Sequence, residues 1–242
     1  MTPDPLFPKL PKRSIERVED NDAENNKPAE DRTELIGVLG GAFDPIHIGH
    51  LRMALEIQSQ LSATRILFLP TPTPPHKSTV YATYADRLNM LKLALAQHEG
   101  LAVSEIENAL PKPNYTVNTL RALRVTLPQH QRLCWIMGLD SLHQLTSWYR
   151  WETLFSLSHI IVVNRPITSA LPKALSSVLV DRWCDNAIPL HTQSTGKIIK
   201  LETPKLDIAS RQLRHMVQTK QALDYLVPAA VIDYIKEHRL YL

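Results

Sequence analysis

Apolar residues fall along this chain in two rhythms. From Glu34 onward, short runs with apolar residues at successive positions recur: ELIGVLGG (34–41), RILFLP (65–70), LAVSEIE (101–107), LCWIMG (133–138), HIIVVNR (159–165) and KIIKLE (197–202). Between them lie longer segments whose apolar residues return every three or four positions, among them HLRMALEIQSQL, ADRLNMLKLALAQH and TVNTLRALRVTL. Continuous runs rich in branched side chains suit strands buried on both faces, whereas the wider spacing lays one apolar stripe along a helix. Six strands alternating with helices predict an α/β domain built on a doubly wound parallel sheet covered on both sides. From about Ile208 the pattern predicts a C-terminal helical portion of two or three helices. One of them is PAAVIDYIKEH, with Pro228 at its first position.

Residues 1–33 follow neither rhythm. They are rich in proline and mixed charge with almost no apolar periodicity, which predicts a disordered or loosely attached extension before a domain over 34–242.

Composition narrows the picture. A 242-residue chain with 44% hydrophobic and 21% charged residues can bury a substantial core. Its net charge of +3 suits an anionic small molecule and gives no reason to expect nucleic acid. No apolar run approaches the ~20 residues of a membrane span, and no signal-like segment opens the chain, so a cytoplasmic location is expected, with no membrane partner. Cys134 and Cys184 form no C-x-x-C pair, and Cys134 reads as a small buried hydrophobe. A homo-oligomer is compatible with all of this, and the sequence leaves the oligomeric state open.

The candidate chemistry lies where the first strand gives way to the first helix. The chain has seven glycines, and four of them, Gly37, Gly40, Gly41 and Gly49, fall within thirteen positions, the last three inside GGAFDPIHIGH (40–50). Ligands of doubly wound sheets bind beyond the carboxyl ends of the strands. Gly40 and Gly41 are expected to let the backbone turn sharply and approach a ligand, while His47 and His50 present both rings beside a helix N-terminus. Imidazoles there can hydrogen-bond a phosphate where negative charge gathers. A glycine pair alone is only a tight turn and a lone histidine usually does nothing, but together they form an H-x-G-H motif in strand–loop–helix context. Asp44 reads as a turn-former rather than a metal ligand.

This stretch resembles the H-x-G-H nucleotidyltransferase superfamily, which has a Rossmann-like fold. HIGH also occurs in class I aminoacyl-tRNA synthetases, but neither a lysine-rich K-M-S-K-S signature nor an anticodon-binding region is visible here. LPTPTPPHK (69–77), NYTVNTLRAL (114–123), GLDSLHQLTSWYRWETL (138–154), HIIVVNRP (159–166) and DIASRQLR (207–214) follow in order. With them, residues 34–242 are similar to bacterial nicotinate-nucleotide adenylyltransferases.

That resemblance implies a reaction in NAD biosynthesis: ATP and nicotinate mononucleotide give deamido-NAD and pyrophosphate, with Mg²⁺. It implies ATP contacts at Gly40, Gly41, Ala42, Phe43, His47, His50, Gly138, Asp140, Ser210, Arg211 and Arg214, with no residue assigned to a metal. The mononucleotide would meet Lys77, Thr116, Asp140, Trp148, Tyr149 and Arg165. His47, His50, Lys77 and Arg214 would carry the catalysis. Ala42 and Ala209 stand where the family has hydroxyl residues, and Arg211 where it has threonine. Blander readings stand beside several of these. Lys77 could be a solvated loop charge, Arg211 and Arg214 an exposed pair, Asp140 with Ser141 a helix cap, and SWYRWETLF the apolar face of a helix. The alternative functions are a related adenylyl or cytidylyl transferase acting on phosphopantetheine or another phosphate, and a nucleotide-sensing protein without catalysis.

Overall fold

A computed structural model describes residues 34–72, 81–163 and 171–242 of the chain. The expected extension over 1–33, Lys77 and Arg165 lie outside the described residues. Seven strands form one sheet: β1 (Leu35–Gly41), β2 (Arg65–Pro70), β3 (Leu101–Val103), β4 (Arg132–Gly138), β5 (His159–Val163), β6 (Trp183–Cys184) and β7 (Ile198–Leu201). Their order is β3-β2-β1-β4-β5-β7-β6, and every neighbouring pair is parallel. The chain winds outward from β1 through β2 to β3, then returns to lay β4 on the other side of β1. The strand order therefore reverses between β1 and β4, and a crevice opens beyond their carboxyl ends at Gly41 and Gly138.

Alternation along the strands builds two core layers. Leu35 and Leu39 face one layer, while Ile36 and Val38 of the same strand face the other with Trp135. The first layer is covered by α1 (Ile48–Leu61) and α2 (Tyr84–Leu95), together with α8 (Ser210–Gln218) and α9 (Ala229–Glu237) of the C-terminal portion. In α1 the buried stripe is Leu51, Ala54, Ile57 and Leu61, as its spacing predicts. Each large aliphatic side chain so buried contributes roughly 1.5–3 kcal/mol. α2 starts on Thr83, whose hydroxyl accepts from Asp86 N and donates to the Asp86 carboxylate. The second layer is covered by α3 (Thr116–Thr126), α4 (Leu139–His143), α5 (Leu154–Leu157) and α6 (Lys173–Leu179). The short α7 (Ile188–Thr192) packs Leu190 into the first layer.

Some boundaries depart from the sequence pattern. β3 ends at Val103 rather than continuing to Glu107, because the chain turns into a 3₁₀ helix at Ile106–Ala109 and buries the Glu107 carboxyl. Glu107 Oε1 accepts from the Thr119 hydroxyl at 2.9 Å, and burial pushes its pKa up. β6 was not expected, since two residues make no apolar run. Pro228 precedes α9 as its N-cap, with ψ 141°, and the helix begins at Ala229. SWYRWETLF is not the face of one helix. A 3₁₀ turn (Leu145–Ser147), a left-handed residue (Arg150, φ 51°), a second 3₁₀ turn (Trp151–Thr153) and α5 succeed one another. Cys134 is fully buried and Cys184 half-buried, and both are free thiols. Among the described residues no helix is long and apolar enough to cross a membrane.

Candidate active site

The crevice at the end of β1 is built around residues 42–50. The sharp turn is not made by the glycines: Gly40 and Gly41 are strand residues, and the left-handed position falls on Phe43 (φ 48°). Gly41 is small because the Phe43 ring folds back on it, so a Cβ there would sit 2.9 Å from the ring. The Phe43 ring then meets the His50 ring edge-on at 5.2 Å and Phe68 at 5.5 Å. His47 is the N-cap of α1 and its carbonyl accepts from His50 N at 3.0 Å. The two imidazoles lie with ring centroids 3.7 Å apart and planes 32° from parallel. Gly49 makes room for this pair, because a Cβ there would lie 3.0 Å from His47 Nδ1.

Side chains from remote elements clamp the loop. Arg87 of α2, almost wholly buried, donates to Ala42 O at 2.6 Å and to Pro72 O at 3.2 Å. Arg214 of α8 donates to Asp44 O at 2.6 Å, and the Ser210 hydroxyl to Pro45 O at 3.0 Å. Asp44 is a hub: its carboxylate accepts from Tyr81 N (2.9 Å), Ala82 N (3.2 Å) and the Tyr241 hydroxyl (2.8 Å). Burial lowers the pKa of Arg87, and the nearby Asp44 carboxylate opposes that shift.

Two helix starts therefore meet at one place. Ser210 opens α8 against the loop that leads into α1, and both N-termini carry partial positive charge. Arg214 adds a full charge, its guanidinium 4.1 Å from the Tyr81 ring centre. Ala209, Arg211 and Arg214 line an open cleft with Tyr81 beside them, and Arg211 is exposed. A pair of imidazoles, a guanidinium and two helix N-termini gather donors and positive charge of the kind that suits an anion.

The second part of the crevice lies beyond β4. Gly138 is the N-cap of α4, so neither Asp140 nor Ser141 caps it, and the exposed Asp140 carboxylate curls back over Gly138. Thr116 opens α3, while Trp148 is half-buried against the second core layer and Tyr149 is exposed. Tyr149 stacks on Tyr115 with centroids 4.5 Å apart, and the Arg150 guanidinium lies 5.3 Å from the Tyr149 ring centre. Among the described residues, no three or more His, Cys, Asp or Glu side chains are grouped to hold a metal ion.

Sequence reasoning missed Arg87, Tyr115 and Tyr241. Arg87 left a trace: it falls in phase with the buried Leu88, Leu91 and Ala94 of α2, where a charge has no solvent to face. Tyr115 and Tyr241 left none, because their partners are 34 and 197 positions away.

Residues 38–216 match the model of the cytidylyltransferase-like family. The chain is 39% identical over 207 residues to a protein named probable nicotinate-nucleotide adenylyltransferase from Aeromonas salmonicida (strain A449), covering 85% of this chain and 96% of that one. It is 39% identical over 216 residues to a protein of the same name from Synechococcus sp. (strain JA-3-3Ab), covering 89% and 98%. Among solved structures, it resembles Plasmodium falciparum nicotinic acid mononucleotide adenylyltransferase complexed with NaAD, with TM-score 0.64 and 18% identity over 86% of this chain and 97% of that one. At that identity the likeness concerns the fold.

Proposed function

The chain belongs to the nicotinate-nucleotide adenylyltransferases of the cytidylyltransferase-like family, and we propose that it joins ATP to nicotinate mononucleotide, giving deamido-NAD and pyrophosphate in NAD biosynthesis. The observation that carries this reading is the meeting of the His47–His50 pair, Arg214 and two helix starts at the carboxyl end of β1.

The attacking group is a phosphate oxygen of the mononucleotide, already anionic at neutral pH, so no general base is required. It forms a bond to the α-phosphorus of ATP while the bond to the bridging oxygen breaks, and that electron pair leaves with pyrophosphate. The protein's work is to hold two anions in line and to offset the charge that builds on the phosphates. His47 and His50 serve the α-phosphate, with Gly40, Gly41, Ala42 and Phe43 forming the wall behind it. Arg214, Arg211 and the start of α8 at Ser210 serve the departing phosphates. Ser210 spends its hydroxyl on Pro45 O, so its contribution is its backbone N–H. Arg211 supplies the donor that the family's threonine would give.

Gly138 and Asp140 receive the sugars. Thr116, Trp148 and Tyr149 frame the pyridine, whose carboxylate suits backbone donors near the start of α3. Lys77 and Arg165 complete the mononucleotide site by resemblance. Mg²⁺, which the resemblance implies, would come bound to ATP and offset charge on the triphosphate. A cytoplasmic location is part of this proposal, and the bacterial relatives and the absence of a membrane-spanning helix among the described residues are compatible with it.

Pyrophosphate release across a panel of acceptors tests this. With ATP, nicotinate mononucleotide should be used and phosphopantetheine should not, and CTP should not replace ATP. Preference for another acceptor would move the chain to a different reaction, and release with none would leave a nucleotide-binding protein. Folded His50→Ala should lose roughly 10²-fold in kcat, as removal of a transition-state donor does.

A further inference from the structure

We propose that Tyr241 is a positioning residue for the phosphate loop: through its hydroxyl on Asp44 it holds the 42–45 turn, and so sets where His47 and His50 stand. The inference rests on the reading of that loop as the phosphate site.

The loop is in a conformation that its own residues do not favour. Phe43, a bulky side chain, sits at φ 48°, and such a position persists only when its surroundings over-determine it. The surroundings here are side-chain donors on three loop carbonyls, from Arg87, Arg214 and Ser210, plus three donors on the Asp44 carboxylate. Arg214 and Ser210 stand on the crevice side. Behind the loop, Asp44 is 4% exposed and Tyr241 is 7% exposed. Tyr241 follows α9 and takes a left-handed backbone conformation (φ 66°) with its ring in the first core layer.

Among the three donors on Asp44, the Tyr241 hydroxyl is the side chain, and it makes the shortest bond at 2.8 Å. Burial and the adjacent carboxylate push its pKa up, so it remains a donor throughout the neutral range. Hydrogen bonds to a buried carboxylate are charge-assisted and directional. Removing this one lets the carboxylate rotate toward the two remaining amides, which belong to a different segment. The turn moves with it, and His47 stands three residues further on. Displacements of about an ångström at a reacting group cost up to 10²-fold in rate.

The test compares Tyr241→Phe with the native chain, both normalised to folded protein and assayed well below their melting temperatures. Expected is a loss of roughly tenfold in kcat, with KM for the mononucleotide within about twofold, since the pyridine end is untouched. In NMR of the free protein, the His47 and His50 ring resonances should shift. Those of His159 and His191, which bond at the opposite end of the sheet to Gln193 O and Leu61 O, should not. In an Asp44→Asn background, Tyr241→Phe should add little, because both act through one contact. Unchanged activity per folded molecule with unmoved His47 and His50 resonances, or full additivity with Asp44→Asn, overturns the proposal. Ring shifts in a protein that releases no pyrophosphate would uphold the positioning role and refute the reaction instead.

Discussion

Arg214 donates to the backbone carbonyl of Asp44 at 2.6 Å, joining two motifs that lie 170 positions apart in the chain. Guanidinium carries five donors in a planar fork, so one N–H can anchor the loop while others remain for an anion. Lysine has a single nitrogen and cannot span both tasks in the same geometry. Arg214→Lys is therefore expected to lower kcat/KM for ATP by about 10- to 100-fold with little change in melting temperature. Values within twofold of the native chain would confine Arg214 to its contact with the Asp44 carbonyl.

Gly49 offers a cleaner separation of stability from activity. It lies in the first turn of α1, where alanine is the better helix former by up to about 1 kcal/mol. Its missing Cβ is what leaves space for the His47 imidazole, 3.0 Å away. Gly49→Ala should stay within about 1 kcal/mol of the native chain in stability, yet lose up to about tenfold in kcat through a displaced His47 ring. Urea unfolding and initial rates on the same preparation check both halves. An active and stable variant would show that the His47 position is not critical.

His159 makes the fold sensitive to acid. It is fully buried at the start of β5, with Nε2 donating to Gln193 O at 3.0 Å and Nδ1 accepting from Lys197 N at 3.1 Å, which fixes the neutral tautomer. Burial is the main cause that pushes its pKa down to about 4, and Arg124 and Arg132 act in the same direction. The unfolded chain takes up this proton near pH 6.5, before the folded one does. The stabilisation is therefore complete above about pH 6.5 and is lost as pH falls toward 4, for about 3 kcal/mol in all. Unfolding free energies measured from pH 7 to pH 4 should show that slope in the native chain and a flatter one in His159→Gln. Equal slopes would remove His159 as the cause.

The parallel sheet was legible because its strands are apolar at successive positions, and α1, α2 and α3 because their stripes keep helical phase. The cluster at the proposed phosphate site was legible because His47, Gly49 and His50 are neighbours in sequence as well as in space. What lay beyond reading is what tertiary contact decides. Gly40 and Gly41 suggested a glycine turn, but packing against Trp135 and Phe43 accounts for them, and Phe43 makes the turn instead. The SWYRWETLF stretch has helical spacing, yet breaks at Arg150, whose φ of 51° no local pattern announces. Tyr241 reads as one more apolar residue near a helix end until Asp44 is seen beside its hydroxyl.

Discrimination between the acid and amide forms of the mononucleotide probes the central claim most directly. Nicotinate ends in a carboxylate that only accepts hydrogen bonds, whereas nicotinamide brings an NH₂ that needs an acceptor. Backbone donors near Thr116 and Tyr149 would match the first and face the second donor to donor, at about 1–3 kcal/mol for each unpaired group. With the loss of charge-assisted bonds, selectivity on the order of 10³ is expected. The measurement is kcat/KM for the two mononucleotides at saturating ATP and Mg²⁺. The account predicts at least that margin in favour of nicotinate mononucleotide, whereas equal values or a preference for the amide would contradict it.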